Sequence, residues 1–185
     1  MDPASEQRFR SLPDELEGLR LNGRATDAQF AQNPLPVARA MGRALAVLHL
    51  SIPSADLPAR TPTEADAALA SVARGELPPA PFDRVRPETL NTMLANRPDA
   101  TNAVLTHGSP VVSAAVLTNS VVTFEPAGTE GFDPAERDLA IAIRSIAETF
   151  TSEVAATFIE GYEEAGGSLP HGPTLDWYGV VAAFR

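Results

Sequence analysis

His107 and Ser109 are the first residues in this sequence whose types and spacing could do chemistry, because an imidazole beside a hydroxyl can pair a base with a nucleophile. The two residues flank Gly108 on what we predict to be a single tight turn. Serine nucleophiles of the common hydrolase type stand on a G-x-S-x-G elbow, whereas the residues here read Thr-His-Gly-Ser-Pro. The pattern does not favour a hydrolase, and we expect His107 to be a hydrogen-bonded structural residue.

A second chemically capable group consists of three acids, Glu125, Glu130 and Asp133, within a predicted loop. Their carboxylates could hold a cation, but a solvated charged loop is the commoner outcome. The three histidines are scattered, cysteine is absent, and all 14 basic residues are arginines. Thiolate chemistry, disulfides and mechanisms that need a lysine ammonium are therefore excluded for this chain alone.

Length, composition and net charge limit the kinds of molecule that this protein is expected to bind. The chain has 185 residues, 44% of them apolar, and a formal charge of -10, so most of its surface would repel a nucleic-acid backbone. No stretch of eighteen apolar residues is uninterrupted, and the polar start lacks an apolar signal segment. We expect one domain, no nucleic acid partner, no membrane association and a cytoplasmic location.

Apolar spacing, prolines and glycines predict the elements that must position these residues. Helices are predicted over Pro36 to Leu50, from a Thr63 cap to about Arg74, from Pro87, over Pro134 to Phe150, from Ser152 to the Gly166-Gly167 pair, and over Thr174 to Phe184. Between the third and fourth helices, Leu105 to Asp138 predicts a short strand, the His-Gly turn, two more β-rich segments, a loop with a glycine, and the start of a helix. The fold class is therefore α+β, mainly α, with a small antiparallel β element.

Four segments occur in this order: ARAMGRALAVLHLSIP, FDRVRPETLNTML, VLTHGSPVVSAAVLTNSVVTFEPAG and FDPAERDLAIAIRSIAETF. Together they resemble the C-terminal lobe of the aminoglycoside phosphotransferase family, a branch of the protein-kinase-like fold. The resemblance runs from about Pro36 to the end of the chain. It implies a single domain over residues 36–185, preceded by an irregular lead-in over residues 1–35, with the N-terminal nucleotide lobe missing.

The resemblance also implies what the central loop should contain. The family carries H-G-D-x-x-x-x-N, in which the Asp faces the acceptor hydroxyl and the Asn holds metal, and a second metal-binding Asp follows the next strands. This sequence keeps His107 but has Ser109 at the catalytic Asp, Ala114 at the metal-binding Asn and Pro126 at the second Asp. Serine is no carboxylate base and an alanine methyl cannot coordinate Mg²⁺.

Two retained positions carry structural expectations. His107 corresponds to a residue that supports the loop, and Asp138 to an acid that opens the following helix and ties the loop down. A Gly-rich phosphate loop and a strand lysine, which the kinase fold places in its N-terminal lobe, are not found in the sequence. The sequence thus indicates a helical lobe with degenerate catalytic positions.

The preferred hypothesis is a non-catalytic binding or regulatory protein of the pseudokinase kind, with no cofactor. The alternative is an active small-molecule phosphotransferase that uses ATP and Mg²⁺, with Glu125 as metal ligand and a partner chain completing the nucleotide site. Exposed apolar surface left by the missing lobe would favour a homodimer or another protein partner. The acids Glu160, Glu163, Glu164 and Asp176 leave open a cationic small molecule, although a solvated face is the commoner outcome. Trp177 and Tyr178 are expected to pack in the core or at an interface.

Overall fold

The computed structural model describes residues 22–52, 57–99, 103–119, 121–169 and 172–184. A helical turn at Ala28–Ala31 precedes six longer helices: α1 (Pro34–His49), α2 (Thr61–Ala73), α3 (Pro87–Ala95), α4 (Ala135–Thr149), α5 (Ser152–Glu164) and α6 (Gly172–Ala183). The strands are β1 (Gly23–Arg24), β2 (Ala103–Thr106), β3 (Ala115–Thr118), β4 (Val121–Phe124) and β5 (Gly131–Pro134). The architecture is α+β and mainly helical, as predicted. Among the described residues, no helix has the length and apolar character needed to cross a membrane.

The strands form two small antiparallel sheets rather than one. β3 lies between β1 and β4 in the first sheet, and β2 pairs with β5 in the second, where Thr106 faces Gly131. The sequence predicted a loop and a helix start where β5 lies. The strand forms because β2 supplies a hydrogen-bonding edge 25 residues away, through contacts such as Thr106 Oγ1 to the Gly131 carbonyl.

The lead-in predicted over residues 1–35 contributes to the domain wherever the structure describes it. β1 pairs with β3, and the side chains of Ala25 and Phe30 are buried in the main core. The domain therefore begins upstream of residue 36. Residues 1–21 of the predicted lead-in lie outside the described part of the chain.

Helices α1 and α5 pack closely because each places a glycine at their crossing. A side chain on Gly42 would overlap the carbonyl oxygen of Phe158, and one on Gly161 would overlap that of Arg39. The crossing anchors the main hydrophobic core, in which Met41 and Phe158 are fully buried. Any residue larger than glycine at these positions would force the helices apart.

Helix α4 is the central helix, as predicted, and joins two hydrophobic clusters. Its Leu139 and Ile146 are fully buried in the main core, whereas its Ala140 belongs to a second cluster with α2, α3 and α6. Trp177 is buried in this second cluster and donates a hydrogen bond from Nε1 to the Leu94 carbonyl at 3.3 Å. The first turn of α4, Glu136 to Asp138, is buried and polar, so this helix end carries charge into the interior.

Helix α2 begins three residues earlier than predicted, and its cap comes from elsewhere. Thr63 is exposed within the first turn, and the helix starts at Thr61. The buried carboxylate of Asp133 accepts hydrogen bonds from the backbone N–H of Arg60 at 2.8 and 3.0 Å and of Thr61 at 2.9 Å. A carboxylate at this end of the helix also meets the positive end of the helix dipole.

Candidate functional site

The loop after β2 is held by the carboxylate of Asp138 in the first turn of α4. Asp138 is fully buried and accepts hydrogen bonds from the backbone N–H of His107 at 2.6 Å and of Gly108 at 2.9 Å. Gly108 has a φ of +87°, and a side chain on it would overlap the Thr129 backbone. Only glycine fits this turn, since it needs the left-handed conformation and has no room for a methyl group.

The imidazole of His107 links the loop to the end of β4. Its Nε2 lies 2.7 Å from the Glu125 carbonyl oxygen, and the Ser109 backbone N–H donates to Nδ1 at 3.3 Å. Because Nδ1 accepts a hydrogen bond, the ring proton lies on Nε2 and is donated to the backbone carbonyl of Glu125. Both ring nitrogens are therefore engaged with backbone groups, and the ring also packs on Phe124 with centroids 5.4 Å apart.

His49 extends this network into the core, a contact that sequence reasoning missed. The tyrosyl oxygen of Tyr162 lies 2.8 Å from His49 Nδ1, and His49 Nε2 lies 3.3 Å from Asp138 Oδ2. Burial, with a smaller contribution from nearby carboxylates, raises the pKa of Tyr162 to about 12, so its O–H donates and His49 donates onward to Asp138. Nothing in the sequence marks His49 apart from its place at the end of an apolar helix.

Ser109 and Ala114, the positions matched to the catalytic Asp and the metal-binding Asn, lie on the same loop. Ser109 is half-buried and lines a cavity of about 360 Å³. Ala114 ends a short 3₁₀ turn (Val112–Ala114), and its carbonyl accepts the Glu125 N–H at 2.8 Å. The fold thus brings Ala114 beside Glu125, while Pro126 is exposed just beyond.

The Glu125 carboxylate is engaged by a cation from β1. Arg24 donates from Nη2 to Glu125 Oε1 at 2.7 Å and from Nη1 to the Ser113 carbonyl at 3.0 Å. The guanidinium therefore links Ser113, in the turn before β3, to Glu125, which follows β4 and was a candidate metal ligand. No local sequence pattern indicates this contact, because Arg24 lies within the predicted lead-in.

The acidic stretch that was predicted as a solvated loop is divided by the fold. Glu130 accepts from the backbone N–H of Ala127 at 2.8 Å and of Gly128 at 3.2 Å, while Asp133 is buried as the cap of α2. Hydrogen bonds from its own backbone N–H, and from those of Ala127 and Gly128, lower the pKa of Glu130 against the opposing effect of burial. Within the described ranges, no three side chains of the metal-binding types converge on one point.

The first turn of α4 also carries a buried ion pair to α2. Arg137 meets Glu64 through two hydrogen bonds, from Nε at 2.8 Å and from Nη2 at 2.6 Å. Burial opposes the charge of Arg137, but the pairing with Glu64 and the nearby Asp138 and Asp133 leave its pKa raised. This pair fixes α2 against the same helix end that holds the loop.

The acids named for a cationic ligand are partly neutralised. Glu160 pairs with Arg39 at 2.7 Å and Glu164 with Arg43 at 2.6 Å, which joins α5 to α1. Glu163 and Asp176 are exposed on α5 and α6. The four carboxylates therefore do not form one group in the structure.

No protein-family model and no curated protein matches the sequence. Solved structures do match, with TM-scores of 0.71 for an aminoglycoside-3'-phosphotransferase of type VIII, 0.61 for aminoglycoside phosphotransferase APH(3'')-Id from Streptomyces rimosus, and 0.57 for a macrolide 2'-phosphotransferase of type I. Sequence identities are 19%, 18% and 21%, over 90%, 82% and 80% of this chain. The matches span 67%, 64% and 50% of those chains, so this chain corresponds to half to two thirds of their length. These likenesses establish a shared fold.

Proposed function

We propose that this chain, which has the fold of the aminoglycoside and macrolide phosphotransferases, is a non-catalytic member of that family and serves as a binding or regulatory protein. The proposal extends a fold likeness to function through the residues of one loop. In this proposal the chain corresponds to the helical lobe of the kinase-like architecture.

The chemistry of phosphoryl transfer supports the proposal. The reaction relies on positioning and on neutralising the phosphate charge, which requires a carboxylate beside the acceptor hydroxyl and oxygen ligands for Mg²⁺. Ser109 offers a hydroxyl and Ala114 a methyl at the two positions that should supply these groups. Neither can replace a carboxylate or an amide oxygen at neutral pH.

The observation that carries the proposal is the ion pair between Arg24 and Glu125. Glu125 precedes Pro126, the position matched to the second metal-binding Asp, and its Oε1 lies 2.7 Å from the guanidinium of Arg24. A divalent cation would have to displace this guanidinium or share the carboxylate with it, and like charges at that distance oppose binding. In the structure the Glu125 carboxylate is paired with the chain's own Arg24.

A thermal unfolding experiment with ATP and MgCl₂ tests the proposal. A ligand at one hundred times its dissociation constant stabilises a protein by about 2.7 kcal/mol, which is a readily measured shift. We expect no magnesium-dependent shift for the natural chain. A shift would favour the alternative, an active phosphotransferase that uses Glu125 and is completed by a partner chain.

A variant that restores oxygen ligands provides the positive control. Ser109→Asp, Ala114→Asn and Pro126→Asp together with Arg24→Ala return three oxygen-bearing side chains to the loop and free Glu125. We expect this variant to bind Mn²⁺ in calorimetry while the natural chain does not. Equal binding by both proteins would contradict the proposed loss of the metal site.

A further inference from the structure

Two adjoining cavities lie beside the loop and share Arg144 and Glu148 of helix α4. The larger has a volume of about 420 Å³ and the smaller about 360 Å³. Both volumes fall in the range of roughly 300 to 1,000 Å³ that is typical of sites for small ligands. The smaller cavity reaches Ser109 of the loop, and the larger lies between α4 and α6.

The walls of the larger cavity are mostly apolar. They come from the loop before α3, from α4 and from α6, and include Pro81, Phe82, Ile143, Ala147, Leu175 and Gly179. Gly179 leaves room that a side chain would take, since a methyl group there would meet Phe82 at 3.5 Å. A ligand that fills this space must therefore bury apolar surface to gain affinity.

The formal charges of the side chains along the cavity walls nearly cancel. Arg144 donates from Nε to Glu148 Oε1 at 2.7 Å, which pairs the two residues that both cavities share. The remaining carboxylate, that of Asp176, is exposed at the larger cavity. A polycation needs several unpaired carboxylates, and these walls provide one.

A directional polar contact is nonetheless available at the junction. Among the described residues, the two terminal nitrogens of Arg144 meet no hydrogen-bond acceptor, although only 25% of its side chain is exposed. Guanidinium N–H groups donate readily to carbonyl or ether oxygens in such partly buried positions. The Ser145 hydroxyl oxygen accepts the Val112 N–H at 3.0 Å, and Arg144 supplies the charged donor at this point.

We infer that the larger cavity binds an uncharged, mostly apolar small molecule that carries an oxygen acceptor directed at Arg144. This inference rests on the proposed binding role and names the class of ligand. The apolar body lies against Phe82, Ile143 and Leu175, and the oxygen meets the guanidinium. Polycationic ligands are excluded because the walls do not balance their charge.

Fluorescence titration with Nile red, an uncharged aromatic dye that bears a carbonyl, tests the inference on the full chain. We expect saturable binding at one site, with emission shifted to shorter wavelength. Ala147→Phe fills the larger cavity from the exposed side of α4 and should weaken binding by about tenfold or more. Ala156→Phe, an equal change at an exposed position on α5 away from the cavities, should leave binding unchanged.

Three further measurements make the result decisive. Gly179→Leu fills the same cavity from α6 and should repeat the loss, which guards against a folding defect peculiar to Ala147→Phe. Arg144→Met should weaken dye binding by about tenfold, because it removes the donor and keeps an unbranched chain. Kanamycin in large excess should not displace the dye.

The inference is overturned if the dye does not saturate a single site, if Ala147→Phe and Ala156→Phe bind it alike, or if kanamycin displaces it. These outcomes are independent of the ATP and MgCl₂ titration. A failed dye experiment therefore removes the ligand class without reviving catalysis, and a nucleotide-dependent shift removes the non-catalytic proposal without deciding what the cavities hold.

Discussion

The carboxylate of Asp138 lies 2.6 Å from the backbone nitrogen of His107, and it is fully buried where α4 begins. One side chain thus holds the loop that a phosphotransferase would use for catalysis. The contact is made to backbone N–H groups of the loop, so it does not depend on the side chains of Ser109 and Ala114. Loop geometry and loop chemistry are therefore separable in this protein.

Replacing Asp138 should destabilise the fold strongly. Asp138→Asn removes the charge from two backbone hydrogen bonds and turns an amide toward one N–H, so we expect a loss of about 2 to 3 kcal/mol in the free energy of unfolding by urea. Asp176→Asn changes the same groups at an exposed position and should stay within about 0.5 kcal/mol. Equal unfolding midpoints for the two variants would show that Asp138 does not hold the turn.

The cap of α2 gives a second prediction, in which the sequence-based choice serves as control. Asp133→Ala leaves the N–H groups of Arg60 and Thr61 without their acceptor and should cost about 2 kcal/mol. Thr63→Ala, at the residue that the sequence pattern favoured as cap, should cost less than about 0.5 kcal/mol. Urea unfolding measures both, and a larger loss for Thr63→Ala would mean that the helix starts where the sequence pattern placed it.

The predicted cap of α2, Thr63, and the observed one, Asp133, show which features can be predicted from a sequence. Helices α3 and α4 follow from Pro87 and from apolar residues at helical spacing, because local periodicity reflects the face that each helix buries. Asp133 contacts Thr61 and Arg60, which lie 72 and 73 positions before it in the sequence. Arg24 and Glu125 lie 101 positions apart. No local pattern encodes such pairs, since they arise only when separate elements pack.

The residues of the candidate site likewise include some that the sequence predicts and some that it does not. The resemblance pointed to His107 and Asp138, which the structure places in contact. His49 and Arg24, which complete the network on either side, went unnoticed because their partners are distant in sequence. A resemblance of local motifs identifies a loop more readily than the distant residues that surround it.

The crossing of α1 and α5 predicts an intolerance to even one added methyl group. Gly42→Ala would drive a methyl into the Phe158 carbonyl, and neither backbone can move without disturbing the main core. We expect a loss of about 1 to 3 kcal/mol, typical of overpacking. Gly172→Ala provides the matched control at the start of α6, where an added methyl meets no atom of the described residues within 4 Å.

Both variants can be compared by thermal unfolding monitored by circular dichroism. The expected order is a clear fall in midpoint for Gly42→Ala and none for Gly172→Ala. If Gly42→Ala unfolds like the unmodified chain, the helices have room that the structure does not show. The close approach of α1 and α5 would then have to be revised.

Alkaline pH gives the last prediction, because the sequence contains two tyrosines and neither lysine nor cysteine. Burial raises the pKa of both Tyr162 and Tyr178 to about 12, above the value of about 10 for an unfolded tyrosine. The folded protein therefore holds these protons more tightly than the unfolded chain. Their stabilising effect is complete below about pH 10 and is lost as the pH rises toward about 12.

The slope of stability against pH counts the tyrosines that contribute. Near pH 11 each should lower the free energy of unfolding by about 1.1 kcal/mol per pH unit. Tyr162→Phe removes one of the two and should halve the slope between pH 10 and 12, besides lowering stability at every pH through the lost hydrogen bond to His49. Urea unfolding at several pH values measures this slope, and an unchanged slope in Tyr162→Phe would mean that its hydroxyl titrates as it does in the unfolded chain.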